Sequence, residues 1–275
     1  MLRCLLIVLG LIAGLACAQD RAPVETDSLP PAPEPVPAQQ VPPAQPTVER
    51  VDDSHYRIGE VTFDQKTREI RFPAAVNMTE GLLEYAIVHT RGKIHESLLA
   101  TEISATHLNL ALTLLRYPPS PELYALPNDK GGLSNKFPKV SKETQAAARI
   151  QVKVEWDDAG KTRSVPINEW IQHLPKGSAM PATLWVYGGS EIDEGRFVAE
   201  STGDIMAIFI TNSALINYPG QDNSDDNVWL PFPKRVPAVG TKVTVIIAPN
   251  PEAKPLSEPA AKPAAKPAAK PISKP

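Results

Sequence analysis

Three stretches of the chain alternate apolar and polar side chains one for one: Val61 and Phe63, then Ile70, Phe72, Ala74 and Val76, then Ile150, Val152, Val154 and Trp156. A period of two puts every apolar side chain on one face of an extended segment, so each stretch is predicted as a half-buried strand. Asp64-Gln65-Lys66 and Asp157-Asp158-Ala159-Gly160 supply turns between them. Residues 183–187, 197–199 and 242–248 read as further strands. The unbroken apolar run at 205–210 reads as a central strand covered on both faces. Two more strand-like runs, 82–90 and 93–99, are separated by Arg91-Gly92, a two-residue hairpin signal.

One segment changes period. Residues 104–116 open on the capping residues Ser104 and Thr106 and continue with leucine and alanine at helical spacing, apolar nearly all round. That pattern predicts a buried helix. A second, short helix is predicted near 166–171. Strands dominate and no strand–helix–strand alternation is present, so the expected fold is α+β: a mainly antiparallel sheet packed around one buried helix. The long proline-rich loop 118–141 could cover a cleft.

The ends differ from this middle. Residues 1–18 carry Arg3, an apolar stretch and Ala16-Cys17-Ala18, which fits a secretory signal cleaved after Ala18. A rival reading takes Gly14-Leu15-Ala16-Cys17 as a lipobox and lipidates Cys17. Residues 19–50 hold nine of the 30 prolines and 250–275 hold seven more around an Ala-Ala-Lys-Pro repeat. Neither offers an apolar face, so both are expected to be unpacked arms, the lysine-rich one able to rest weakly on an anionic envelope surface. The folded domain is thus placed at 51–249, with no transmembrane helix once the signal is removed.

Cys4 and Cys17 are the only cysteines. Cleavage after Ala18 removes both, which excludes structural disulfides and an iron–sulfur cluster. The middle segment is mildly acidic, which argues against nucleic acid as a partner.

Candidate chemistry centres on 91–115. On a strand, His95 and Ser97 share one face and Glu96 the other. A metalloprotease H-E-x-x-H is excluded because Leu99 stands where the second histidine belongs. His107 falls on the core-facing side of its helix, which suits a core histidine or a ligand. The short link between strand and helix predicts that His95 and His107 approach each other, either as a metal pair completed by Glu122 or His173, or through a His107–Glu96 hydrogen bond. Gly188-Gly189-Ser190 reads as a plain turn, residues 222–227 as a solvated turn rather than a calcium loop, and the four tryptophans as core.

The stretches FPAAVNMTEGLLEYAIVHTRGKIHESLL, THLNLALTLL, VKVEWDDAGKTRSVPINEWI, WVYGGS, GDIMAI and VPAVGTKVTVII together resemble the YdjY-domain family of bacterial secreted proteins, over residues 56–247. His95-Glu96-Ser97 and the His107 helix carry the most specific part of that resemblance. It implies a domain identity and export, and no particular reaction. Two functions are therefore weighed. The first is a non-catalytic envelope domain binding a small ligand, a metal or an envelope protein near His95, Glu96, Ser97 and His107. The second is a hydrolase with Ser97 as nucleophile and His107 as base.

Overall fold

A computed structural model of the chain describes residues 46–253; the predicted signal segment with Cys4 and Cys17, most of the N-terminal arm and most of the C-terminal arm lie outside the described residues. In chain order the strands begin with β1 (Glu49–Arg50), β2 (His55–Ile58), β3 (Val61–Asp64), β4 (Ile70–Val76), β5 (Tyr85–His89) and β6 (Ser97–Thr101). Helices α1 (Ala105–Leu114) and α2 (Lys142–Ala148) follow, then β7 (Arg149–Asp158), β8 (Lys161–Pro166), β9 (Ile171–His173), β10 (Ser178–Ala179) and β11 (Trp185–Tyr187). The chain continues through β12 (Ile192–Asp193), β13 (Arg196–Phe197), α3 (Val198–Thr202), β14 (Asp204–Ala207), β15 (Ile216–Asn217), β16 (Trp229–Pro231) and β17 (Lys242–Pro249).

The predicted alternation becomes rows of side chains. Phe72 of β4 stands opposite Val245 of β17, which stands opposite Val154 of β7; Ile70, Ile247 and Val152 form the next row. All six are buried. From β7 the sheet passes through β11, β15, β14, β5 and β6, and β6 pairs back onto β4, so eight strands close into a barrel. Closure removes the open edges of those strands, and eight is a number whose interior side chains can fill.

β4 sits at a fork. One of its edges pairs throughout with β17, while the other pairs with β3 near Ile70 and with β6 near Val76. α1 leaves β6 and packs on β3, bridging the gap. Its buried face is Ala105, Leu108, Ala111 and Leu112, whereas Leu114 is exposed, so the helix is one-sided rather than apolar all round. Both its ends are tied. The Glu200 carboxylate accepts from the Thr106 N–H at 2.8 Å and from the Ser104 hydroxyl at 2.7 Å. Burial alone would raise the Glu200 carboxyl, but those hydrogen bonds outweigh it and hold it below its ordinary value. At the other end the Arg68 guanidinium donates to the Leu115 carbonyl at 2.9 Å and lies over the Tyr117 ring. A cation at that terminus is worth about 0.3–1 kcal/mol.

Three expectations change. Runs 82–90 and 93–99 do not form a hairpin: β5 and β6 are parallel, with Tyr85 opposite Ser97 and Ile87 opposite Leu99. Gly92 serves a close approach instead, since a Cβ there would meet the Thr202 carbonyl at 3.0 Å and the His89 carbonyl at 3.2 Å. Of residues 197–199 only Phe197 lies in a strand, at the end of β13; Val198 and Ala199 open α3, which ends on Gly203 in the left-handed region. Glu49 and Arg50, assigned to the unpacked arm, pair with Arg57 and Tyr56. Near 166–171 the short helix appears as a single tight turn over Ile167–Trp170.

Candidate functional site

His95, Glu96, Ser97 and His107 do not gather. His95 sits in a one-turn helix, Ile94–Glu96, where residues rotate by about 120° rather than 180°. Its Nε2 therefore lies 3.7 Å from the neighbouring Glu96 carboxylate, on a side chain 77% exposed. Ser97 opens β6, fully buried, and its hydroxyl donates to the Leu99 carbonyl at 2.8 Å. His107 begins α1, its N–H donating to Ser104 Oγ at 3.2 Å, and its ring lies on Gly59 in the β2–β3 turn. The two histidines flank opposite ends of β6, five residues or about 16 Å of strand. Ser97 is hydrogen bonded to Leu99, Glu96 stands beside His95, and the His107 N–H goes to Ser104, so among the described residues no hydrogen bond joins His107 to Glu96 or Ser97. The proposed completing groups are engaged elsewhere, Glu122 with Arg149 and His173 with Asp222. Among the described residues no three His, Cys, Asp or Glu side chains form a metal shell.

A concavity lies elsewhere, beside a loop that is seated on the two glycines after β11. A Cβ at Gly188 would lie 2.0 Å from the Tyr124 hydroxyl, and one at Gly189, whose φ is +88°, would lie 2.8 Å from Pro119. Only glycine lets the 118–141 loop come so close. Ser120 N–H fixes the same loop to the Tyr187 carbonyl at 2.9 Å. Glu122 carries an ion pair to Arg149. So Gly188-Gly189, read as a plain turn, is the seat of the loop. Ser190 works beside it, donating to the Ser213 carbonyl and accepting from the Ala199 N–H.

The seated loop and the segment 210–224 line a cleft of about 670 Å³. Leu123, Tyr124, Leu133 and Phe137 form one wall; Ile210, Thr211, Asn212, Asn223 and Ser224 form the other. Leu133 is 75% and Phe137 54% exposed, and both line the cleft, where they form an exposed apolar patch. Behind the cleft runs a polar chain. The Tyr124 hydroxyl accepts from Asn217 Nδ2 at 3.0 Å, Asn217 Oδ1 accepts from the Thr211 N–H at 3.0 Å, and the Thr211 and Ser213 hydroxyls are 2.9 Å apart. Ser213 then donates to Asp204 Oδ2. Asp204 and Asn217 are buried, and Asp204 Oδ1 has no partner among the described residues. Burial pushes the Tyr124 hydroxyl well above its ordinary range, so it stays a neutral phenol.

A second cavity of about 300 Å³ shares Gly220 with the first. There His173 Nε2 lies 2.9 Å from Asp222 Oδ2, the His173 ring meets Trp229 edge-on at 4.9 Å, and Trp229 Nε1 donates to the Asp222 carbonyl at 3.0 Å. His173 and Trp229 thus brace the 219–224 wall from behind. Asp222 is a brace point, while Asp225, Asp226 and Asn227 are exposed as expected of a solvated turn.

Tyr124, Thr211, Asn217 and Asp204 went unnoticed in the sequence. The available signals were faint: an aspartate directly ahead of the most apolar run, and paired glycines closing a strand.

Among the described residues no helix is long and apolar enough to cross a membrane. A family model described as the YdjY domain matches residues 61–248, which spans β3 to β17 and includes both walls of the cleft. No curated protein and no solved structure matches the chain.

Proposed function

The chain belongs to the YdjY-domain family, and from that premise we propose that it is an exported, non-catalytic binding domain of the bacterial envelope. Its ligand, uncharged and with an apolar side, is held in the cleft between the 118–141 loop and the 210–224 wall. One observation carries this reading: exposed Leu133 and Phe137 line the same cleft as the polar residues Thr211, Asn212, Asn223 and Ser224, backed by the hydrogen-bonded Asn217 and Tyr124. Such a surface offers apolar contact plus a few fixed polar groups, the usual make-up of a small-molecule site. In this reading α1 is the structural helix about which an α+β architecture is organised, supported by its buried face and its two tied ends.

The neutral dye Nile red tests the cleft. Its emission is expected to rise and shift to the blue on adding the protein. Phe137→Ser should weaken binding roughly tenfold or more, since burying a Phe side chain is worth about 1.5–3 kcal/mol. An unchanged affinity in a variant of unchanged melting temperature would place the dye elsewhere and sink the reading. Export has its own measurement. The intact mass of protein from its own envelope should correspond to a start at Gln19, and a lipidated Cys17 start would replace simple cleavage with anchoring.

A further inference from the structure

The last described residues end beside the cleft. Pro249 pairs with Ile150, Asn250 N–H donates to the Arg149 carbonyl at 3.1 Å, and Asn250 Nδ2 donates to the Ala146 carbonyl at 3.2 Å. Arg149 in turn pairs with Glu122 of the cleft lining. The remaining chain, KPLSEPAAKPAAKPAAKPISKP, thus departs from the rim of the cleft. It carries lysines at 254, 262, 266, 270 and 274 against a single acid, Glu258. Proline stands at every fourth position, and a polyproline segment spans about 3.1 Å per residue, so a length of 22 residues is ample to reach across the rim. Proline-rich segments of this kind dock on aromatic and apolar grooves at low ordering cost. The far wall complements the charge: residues 210–227 contain Asp222, Asp225 and Asp226 and no lysine or arginine.

We propose that the C-terminal tail, residues 254–275, docks across the cleft, with prolines against Leu133 and Phe137 and lysines beside Asp225 and Asp226, so that tail and ligand compete for one surface. This rests on the cleft being a binding surface. The test uses the full chain carrying Cys4→Ser, Cys17→Ser and Ala265→Cys, with a nitroxide at position 265. Amide signals of Asn212, Asn223 and Ser224 should lose most of their intensity when the nitroxide is oxidised, while Gly160, at the far end of β7, keeps its own. Adding Phe137→Ser should restore the cleft signals without shifting the melting temperature. Uniform intensities, broadening that persists in Phe137→Ser, or contact made only with vesicles of anionic lipid would each overturn the proposal. Nile red separates the two readings: dye binding without selective broadening rejects the tail and leaves the cleft, whereas neither signal rejects both.

Discussion

Gly188→Ala is expected to destabilise the protein by about 2–6 kcal/mol and to abolish dye binding in the cleft. The added Cβ would stand 2.0 Å from the Tyr124 hydroxyl, so the ring must leave its seat. Overpacking of this kind costs about 1–3 kcal/mol, and the departing hydroxyl leaves the buried Asn217 amide unpaired for about 1–3 kcal/mol more. The same movement takes one wall of the cleft with it. Tyr124→Phe is the control: the ring stays and only the bond to Asn217 is lost, so stability should fall by about 1–2 kcal/mol while the dye still binds. Denaturant titration and dye binding on both variants decide the matter. A Gly188→Ala protein that keeps full stability would show that the loop is not seated there.

The second large effect is a coupling. Gly59 has a φ of +57°, and a Cβ on it would meet His107 Nδ1 at 2.6 Å. Gly59→Ala should therefore cost about 1–2 kcal/mol for the left-handed backbone and about 1–3 kcal/mol for the clash. In a His107→Ala background the clash disappears and only the backbone cost remains. The double-mutant cycle should then show a coupling of about 1–3 kcal/mol, the size of the clash. Additivity within about 0.5 kcal/mol would remove His107 from that contact. The outcome also separates the two sequence readings of His107, because a core histidine packed on a turn predicts this coupling and a ligand does not.

What could be read from the sequence follows physical locality. The strands at 61–64, 70–76, 149–158 and 242–249 were legible because alternation along a half-buried strand is a property of each segment by itself. The parallel pairing of β5 with β6 was not, since Arg91-Gly92 looks the same whether glycine allows a hairpin turn or a close approach to Gly203. His95 and Glu96 were placed on opposite faces by a strand period that a single helical turn replaces. Tyr124, Asn217 and Asp204 were invisible for a related reason. A buried polar side chain is defined by its partner, and these partners lie up to 93 residues apart. The loop at 118–141 was legible as a cleft wall, but the glycines that receive it look like an ordinary turn.

The position of β17 governs how the protein can be made. This strand, the last in the described chain, pairs with β4 on one side and β7 on the other. Residues near 70 must therefore wait for residues near 247 before the ring can close, a pairing of long sequence separation that slows folding. A chain emerging from the ribosome amino end first holds the edges of β4 and β7 that β17 will pair unsatisfied until almost its whole length is free. The barrel then forms as a single late event, and a fragment stopped before Lys242 has two open strand edges poised to aggregate rather than a smaller stable domain.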